Sequence, residues 1–182
     1  MEETSGVRRQ LTLFVSGAAA PFLEALRQRV DSVQFGLIRA HVTLCREDEL
    51  ANSSASELRR RLSRTACTPL TLVFGPPVRF GAHGMLLPCI GGEAAFHQLR
   101  VAALDSTAIR AQAAHVTLAH PRNPRAPANV EASFSSLPAR LALTFMEIAL
   151  IEQRDAQPWV VCDTMAIDGR DDPARSSTRA RG

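Results

Sequence analysis

Apolar residues recur with two different periods along the chain, and the two periods divide it into elements. Alternation or short β-branched runs mark strands at Leu11 to Val15, Leu70 to Phe74, Val78 to Phe80 and Met85 to Ile90. Residues 35–45, residues around 114–118, Leu141 to Ile151 and Trp159 to Ile167 read the same way. Spacing of three and four residues marks helices instead. Phe22, Leu23, Leu26 and Val30 form one apolar face, Leu58 and Leu62 a second, and Phe96, Leu99 and Ala103 a third. Ser54-Ala55-Ser56-Glu57 is a capping box that opens the second of these helices, with Arg59, Arg60 and Arg64 turned to solvent. Glu47-Asp48-Glu49 reads as a polar loop, Gly75-Pro76-Pro77 and residues 81–84 as turns, residues 105–113 as a small-residue loop, and Pro121 to Pro124 as a turn cluster. A short helix is expected near 127–135, and Gln153 to Pro158 joins the last two strands.

One string occurs twice. Ala40-His41-Val42-Thr43-Leu44 returns as Ala114-His115-Val116-Thr117-Leu118, at an offset of 74 residues. Alternate strand side chains share a face. Each copy therefore turns Val and Leu one way and one imidazole and one hydroxyl the other. The same offset carries Leu11–Val15 onto Met85–Cys89, Phe22 onto Phe96 and Val30 onto Leu104. Each half thus reads strand, helix, His-x-Thr strand, which is the mark of a duplicated unit.

Composition narrows the partners. The 182 residues suit one domain or two small lobes sharing a core, and 46% hydrophobic residues suffice for a packed interior. No apolar run approaches the roughly 20 residues of a membrane span, so no membrane partner is expected. The acidic start, Met1 to Gly6, has no hydrophobic segment. The four cysteines, Cys45, Cys67, Cys89 and Cys162, form no C-x-x-C pair, which fits a reducing, cytoplasmic setting. The net charge is only +3, Tyr is absent and Trp159 is the only Trp. A small anionic substrate fits this balance better than a long phosphate backbone or a base-stacking platform. Residues 1–7 are expected to fray. Residues 168–182 carry no periodicity and are expected to be a disordered tail, leaving 8–167 as a single bilobal domain.

Two His-x-Thr strands in a chain of this size resemble the 2H phosphoesterase superfamily, and within it the bacterial LigT-like or 2′-5′ RNA ligase family of cyclic phosphodiesterases. The resemblance rests on His41-Val42-Thr43-Leu44 and His115-Val116-Thr117-Leu118. It extends to Cys45 to Glu49, Ala119 to Pro124 and Leu150-Ile151-Glu152-Gln153 ahead of a Pro-Trp. The chain departs from it where many members carry Pro before each motif histidine: here the residues are Ala40 and Ala114. The resemblance implies an α+β, bilobal fold with duplicated strand-helix-strand units forming two antiparallel sheets around a central cleft. It also implies metal-free hydrolysis of 2′,3′-cyclic phosphate, or reversible 2′-5′ linkage chemistry; no cofactor and a monomeric protein are expected. It assigns His115 as base and His41 as acid.

The residues support that chemistry independently. Opening a cyclic phosphate needs a base for water and an acid for the leaving sugar oxygen. Histidine, with an ordinary pKa of about 6.5, can serve as either. Thr43 and Thr117 can each donate an O–H to the phosphate oxygens. A lone strand histidine is usually structural; matched pairs with threonine argue for catalysis. Arg46 and His120 lie at equivalent positions five residues past each histidine and could line the cleft mouth. Arg39 is two before His41 on the same face, where a rim salt bridge is the alternative, and Arg122, with Arg125, is a loop cation that could meet phosphate. Cys45 shares the His41 face but has no base partner. His83 and His97 read as turn and helix-surface residues. The competing functions are a 2′-5′ RNA ligase, a non-catalytic RNA-end binding module, and a metal site built from His41, His115 and His120, for which no carboxylate or Cys spacing completes a ligand set. Truncation after Ile167 is expected to leave the melting temperature and any activity nearly unchanged; a large loss in either would show that the tail docks.

Overall fold

Two antiparallel sheets carry the fold of this computed structural model, which describes residues 6–51, 53–64, 68–123 and 135–167. The first has strand order β2-β1-β8-β9, built from β1 (Val7–Phe14), β2 (His41–Cys45), β8 (Glu147–Arg154) and β9 (Val160–Ala166). The second runs β4-β5-β3-β7, with β6 paired to β5: β3 (Leu70–Phe74), β4 (Val78–Phe80), β5 (Gly84–Gly91), β6 (His115–Ala119) and β7 (Leu141–Phe145). The helices are α1 (Ala19–Val30), α2 (Ser32–Leu37), α3 (Glu47–Leu50), α4 (Ala55–Ser63) and α5 (Glu93–Leu104). The α+β class with two antiparallel sheets is the expected one. The tail, the segment 124–134, Cys67 and Arg125 lie outside the described residues.

The duplication holds down to individual backbone pairs. In the first sheet Thr12 pairs with Thr43, Leu13 with Val42 and Phe14 with His41. Shifted by the 74-residue offset, the same register appears as Leu86 with Thr117, Leu87 with Val116 and Pro88 with His115. α1 maps onto α5 end for end. Both strand pairs contain a bulge at the matched place, between Leu11 and Thr12 and between Met85 and Leu86. The Ala residues that replace proline close in the same way: Val15 N–H donates to Ala40 O at 2.9 Å, and Cys89 N–H to Ala114 O at 3.0 Å.

Core residues from both sheets form one continuous cluster, including Leu13, Val42, Leu44, Leu87, Val116 and Leu118. The helices cross between halves: α1 packs on β6, α5 on β2, and β2 touches β6. Arg100 of α5 is fully buried in that crossing. It donates from Nε to Leu44 O at 2.9 Å and from NH1 to Arg110 O at 2.7 Å, and pairs with Glu49 through NH2. α5 begins at Gly92, whose φ is +89°; a Cβ there would lie 2.4 Å from Thr71 O, so only glycine fits.

Several expectations from the pattern change. Residues 35–45 are not all strand: α2 ends at Leu37 and β2 starts only at His41. The side chain of Asp31 caps α2 by accepting from Gln34 N–H at 3.1 Å. Glu47-Asp48-Glu49 folds as the short helix α3, because Glu49 reaches back to Arg46 N–H at 2.9 Å. The long run from Leu141 splits at the exposed Met146, with β7 in one sheet and β8 in the other. Val7, expected to fray, pairs with Arg154 instead, and residues 1–5 lie outside the described residues. Phe22 is 39% exposed. The inward stripe of α1 is Leu23, Leu26, Arg27 and Val30, which is the i, i+3, i+4, i+7 set, so Phe22 falls outside it while its counterpart Phe96 is buried.

Arg100→Ala is expected to lower the unfolding free energy by roughly 3–5 kcal/mol, because it strands Glu49 and two buried carbonyls. Urea denaturation checks this; a loss under about 1 kcal/mol, the range of an exposed pair, would show that the clamp is dispensable.

Candidate active site

Strand period two, with the bulge, builds the site. In both β2 and β6 the burial alternates: His and Thr half-buried, Val and Leu fully buried. Among the described residues β2 and β6 each pair with a single strand, and they meet each other. His41 and His115 open these two contacting strands.

Each ring is held by its own backbone. His41 Nδ1–H donates to Arg39 O at 2.8 Å and His115 Nδ1–H to Ala113 O at 3.1 Å. A carbonyl oxygen only accepts, so Nδ1 keeps the proton and Nε2 is the reactive nitrogen of each neutral ring. A phenylalanine flanks each ring: Phe14 stands edge-on to His41 with centroids 6.4 Å apart, and Phe80 lies 6.1 Å from His115. Among the described residues neither the Thr43 nor the Thr117 hydroxyl is engaged by a hydrogen-bond partner, so both remain available to a ligand.

Charged side chains from the helices set the frame around these strands. Glu24 Oε1 accepts from Ala40 N–H at 2.6 Å, and its other oxygen takes a bond from Arg27 at 2.9 Å. Asp31 accepts from His120 N–H at 2.8 Å and from the Asn123 side chain at 2.7 Å. Gln112 Nε2 donates to Thr43 O at 2.7 Å, while its Oε1 is buried without a partner. None of these four carries a local signal. Glu24, Arg27 and Asp31 look like ordinary helix polar residues and Gln112 like a loop residue; only the packing of α1 and the loop before β6 against the motif strands gives them work.

A cavity of about 390 Å³ adjoins His115, lined by Arg46, Phe80, Leu86, Pro88, Arg110 and Gln112 among others. A smaller one of about 200 Å³ adjoins Phe14 and Arg39. Arg46 thus reaches the His115 side of the site. Arg39 is exposed and sits with its guanidinium 4.1 Å over the Phe14 ring, while its carbonyl holds His41. The structure does not bring His120 and Arg122 to either of these cavities. The His120 ring accepts from Arg122 N–H at 3.2 Å, so both shape the loop after β6. Cys45 does not share the His41 face. The bulge places Leu44 and Cys45 both in the core, and burial pushes the Cys45 thiol up to about 12. That rules out a thiolate nucleophile near neutrality. His83 and His97 are exposed, as expected. Among the described residues no group of three His, Cys, Asp or Glu side chains could hold a metal ion.

The family profile of the 2′-5′ RNA ligase superfamily matches residues 15–157, well over half the chain. The chain belongs to the 2′-5′ RNA ligase superfamily. Solved structures share the fold at low identity. Escherichia coli LigT complexed with NADP+ superposes with a TM-score of 0.56 at 14% identity, covering 88% of this chain and 98% of that one. LigT complexed with phosphate gives 0.54 at 14%, covering 90% and 99%. The protein TT0787 of Thermus thermophilus gives 0.56 at 15%, covering 90% and 100%. No curated protein matches by sequence. Among the described residues no helix is long and apolar enough to cross a membrane.

Burial lowers the His41 pKa from 6.5 to about 4, opposed by the bond to Arg39 O and reinforced by the charges of Arg27 and His115. An unfolded chain would bind that proton near 6.5, so the folded state holds fewer protons between pH 4 and 6.5. Stability is therefore fully present above that window and lost as the pH falls through it. His120, lowered by burial and by Arg122, acts in the same direction. An NMR titration of the His41 ring is expected to show a midpoint near 4, and His41→Asn should reduce the slope of melting temperature against pH in that window. A His41 midpoint at 6.5 would contradict this.

Proposed function

We propose that this protein is a metal-independent 2H phosphodiesterase that opens the 2′,3′-cyclic phosphate of an RNA end or a small nucleotide, with His41 and His115 as acid and base and Thr43 and Thr117 as donors to the phosphate oxygens. The observation that carries the reading is the matched pair of histidines, each with Nδ1–H tied to the carbonyl two residues back. Each ring thereby presents Nε2, and each has an uncommitted threonine two residues on. Such a pair can deliver a proton on one side of phosphorus and remove one on the other, as in-line displacement requires. Arg46 supplies a cation at the His115 cavity. Relatives support the ligand class: LigT structures hold phosphate, ATP or NADP+. The superfamily's description favours one second reading, 2′-5′ ligation, in which a ribose 5′-hydroxyl takes the place of water in the same geometry.

Assays against 2′,3′-cyclic mononucleotides and cyclic-phosphate-ended oligomers, with and without a 5′-hydroxyl acceptor, test this. Hydrolysis is expected to persist in EDTA. Either histidine changed to Ala should lower kcat by about a hundredfold or more. Thr43→Val and Thr117→Val should each cost roughly 10²–10³-fold, the typical loss of one donor to a transition-state oxygen. The pH-rate profile should be a bell whose two apparent values belong to the pair. Loss of activity in EDTA, or wild-type turnover by both histidine variants, would overturn the reading.

A further inference from the structure

The two halves repeat each other at the histidines but not around them, and the difference assigns direction to the reaction. His115 lines the larger cavity, of about 390 Å³; His41 lines neither of the two cavities described above. That volume lies in the range of small-molecule sites. Its walls suit a nucleoside. Phe80 is 45% exposed beside His115 and continues into Leu86 and Pro88, an aromatic and aliphatic surface for a base. Gln112 contributes the buried, unpartnered Oε1, an acceptor for a base N–H or ribose O–H. Arg46 and Arg110 stand at the polar side.

The His41 side is built differently. The residue that corresponds to Pro88 there is Phe14, which stands against the His41 ring and carries Arg39 stacked upon it. Phe14 in turn packs on the cluster of Ile38, Ala149 and Ile151. Ile38 occupies the position that Gln112 holds in the other half, so the acceptor has no counterpart.

We propose that the nucleoside binds on the β4-β5-β6 side, so that His115 is the acid that protonates the leaving ribose oxygen and His41 is the base that takes a proton from the attacking water. This rests on the phosphodiesterase reading and reverses the roles that the family resemblance assigns. Water oxygen forms the new P–O bond as its proton passes to His41 Nε2. The P–O bond to the 2′ or 3′ ribose oxygen breaks, and that oxygen receives the proton from His115 Nε2. His41 ends protonated and His115 neutral, and exchange with solvent restores both. The charge environment agrees. Burial, with the charges of Arg27 from α1 and His115 from β6, favours the neutral ring a base requires and outweighs the Arg39 carbonyl, which acts the other way.

The test compares a 2′,3′-cyclic nucleotide with its bridging thio analogue, in which sulfur replaces the leaving ribose oxygen and so needs no acid. His41→Asn and His115→Asn are the variants, since Asn can keep a donor for the backbone carbonyl that anchors each ring; thermal melting verifies that both are folded. Both should lose about a hundredfold or more on the oxygen substrate. On the sulfur substrate His115→Asn should recover to within about tenfold of wild type while His41→Asn stays impaired. Recovery of His41→Asn instead, of both or of neither would overturn the assignment. Inactivity of the wild type on both substrates would remove the phosphodiesterase reading itself. Phe80→Ala supplies a second readout. It should raise the KM for the cyclic nucleotide by roughly fivefold or more, as loss of one stacking ring does, and weaken binding of the nucleoside monophosphate product by a similar factor. It should leave the affinity for inorganic phosphate unchanged. An unaltered KM, or equal loss for phosphate, would place the nucleoside elsewhere.

Discussion

A strand that gives every second residue to the core has one face left over, and this constraint organises the molecule twice. In β2 and β6 the buried Val and Leu secure the strand, and His and Thr occupy the face that packing does not claim. The bulge at the end of each strand then turns the next residue inward, which limits the exposed motif to one imidazole and one hydroxyl. Without it the alternation would continue and set Cys45 and Ala119 beside the histidines.

Among the described residues each motif strand is an edge of its sheet, with backbone and loop ends that no further strand covers. Elements from elsewhere hold them. α5 sends Arg100 to Leu44 O and Glu49, and Asp31 at the end of α1 reaches His120 N–H and Asn123. The residues five past each histidine are secured alike, Arg46 N–H by Glu49 and His120 N–H by Asp31. A carboxylate on a backbone N–H is a charge-assisted bond, stronger than a neutral one, and buried ones leave little freedom. The outcome is rigid support for the two rings, whose orientation the proposed chemistry depends upon.

Under the proposed reaction, symmetry stops where a substrate with two unlike ends requires it to stop. A cyclic nucleotide presents a bulky nucleoside on one side of phosphorus and only water on the other. Accordingly, the surroundings of His115 are open and mixed in polarity, while Phe14 and Arg39 crowd His41. Duplication supplied two equal imidazoles; divergence at Phe14 against Pro88, and at Ile38 against Gln112, made their environments unequal.

The sequence by itself determined the duplicated strand-helix-strand order, the 74-residue offset and the two His-x-Thr strings, and with them the α+β class and the candidate residues of the proposed site. These were legible because strand alternation and helix spacing are local, and because a repeated string carries its own register. Tertiary structure alone decided the rest. Whether Cys45 faced the site depended on a bulge, which exists only in a strand pair. That Leu141 to Ile151 served two sheets depended on where each sheet lay. His120 matched Arg46 by symmetry and Arg122 read as a loop cation, but where their loop runs was decided by Asp31, 89 residues before His120 in the chain, which holds His120 N–H and the Asn123 side chain. Glu24, Arg27, Arg100 and Gln112 gained their roles from burial against distant strands, and burial is a property of the packed molecule that no single stretch of chain contains.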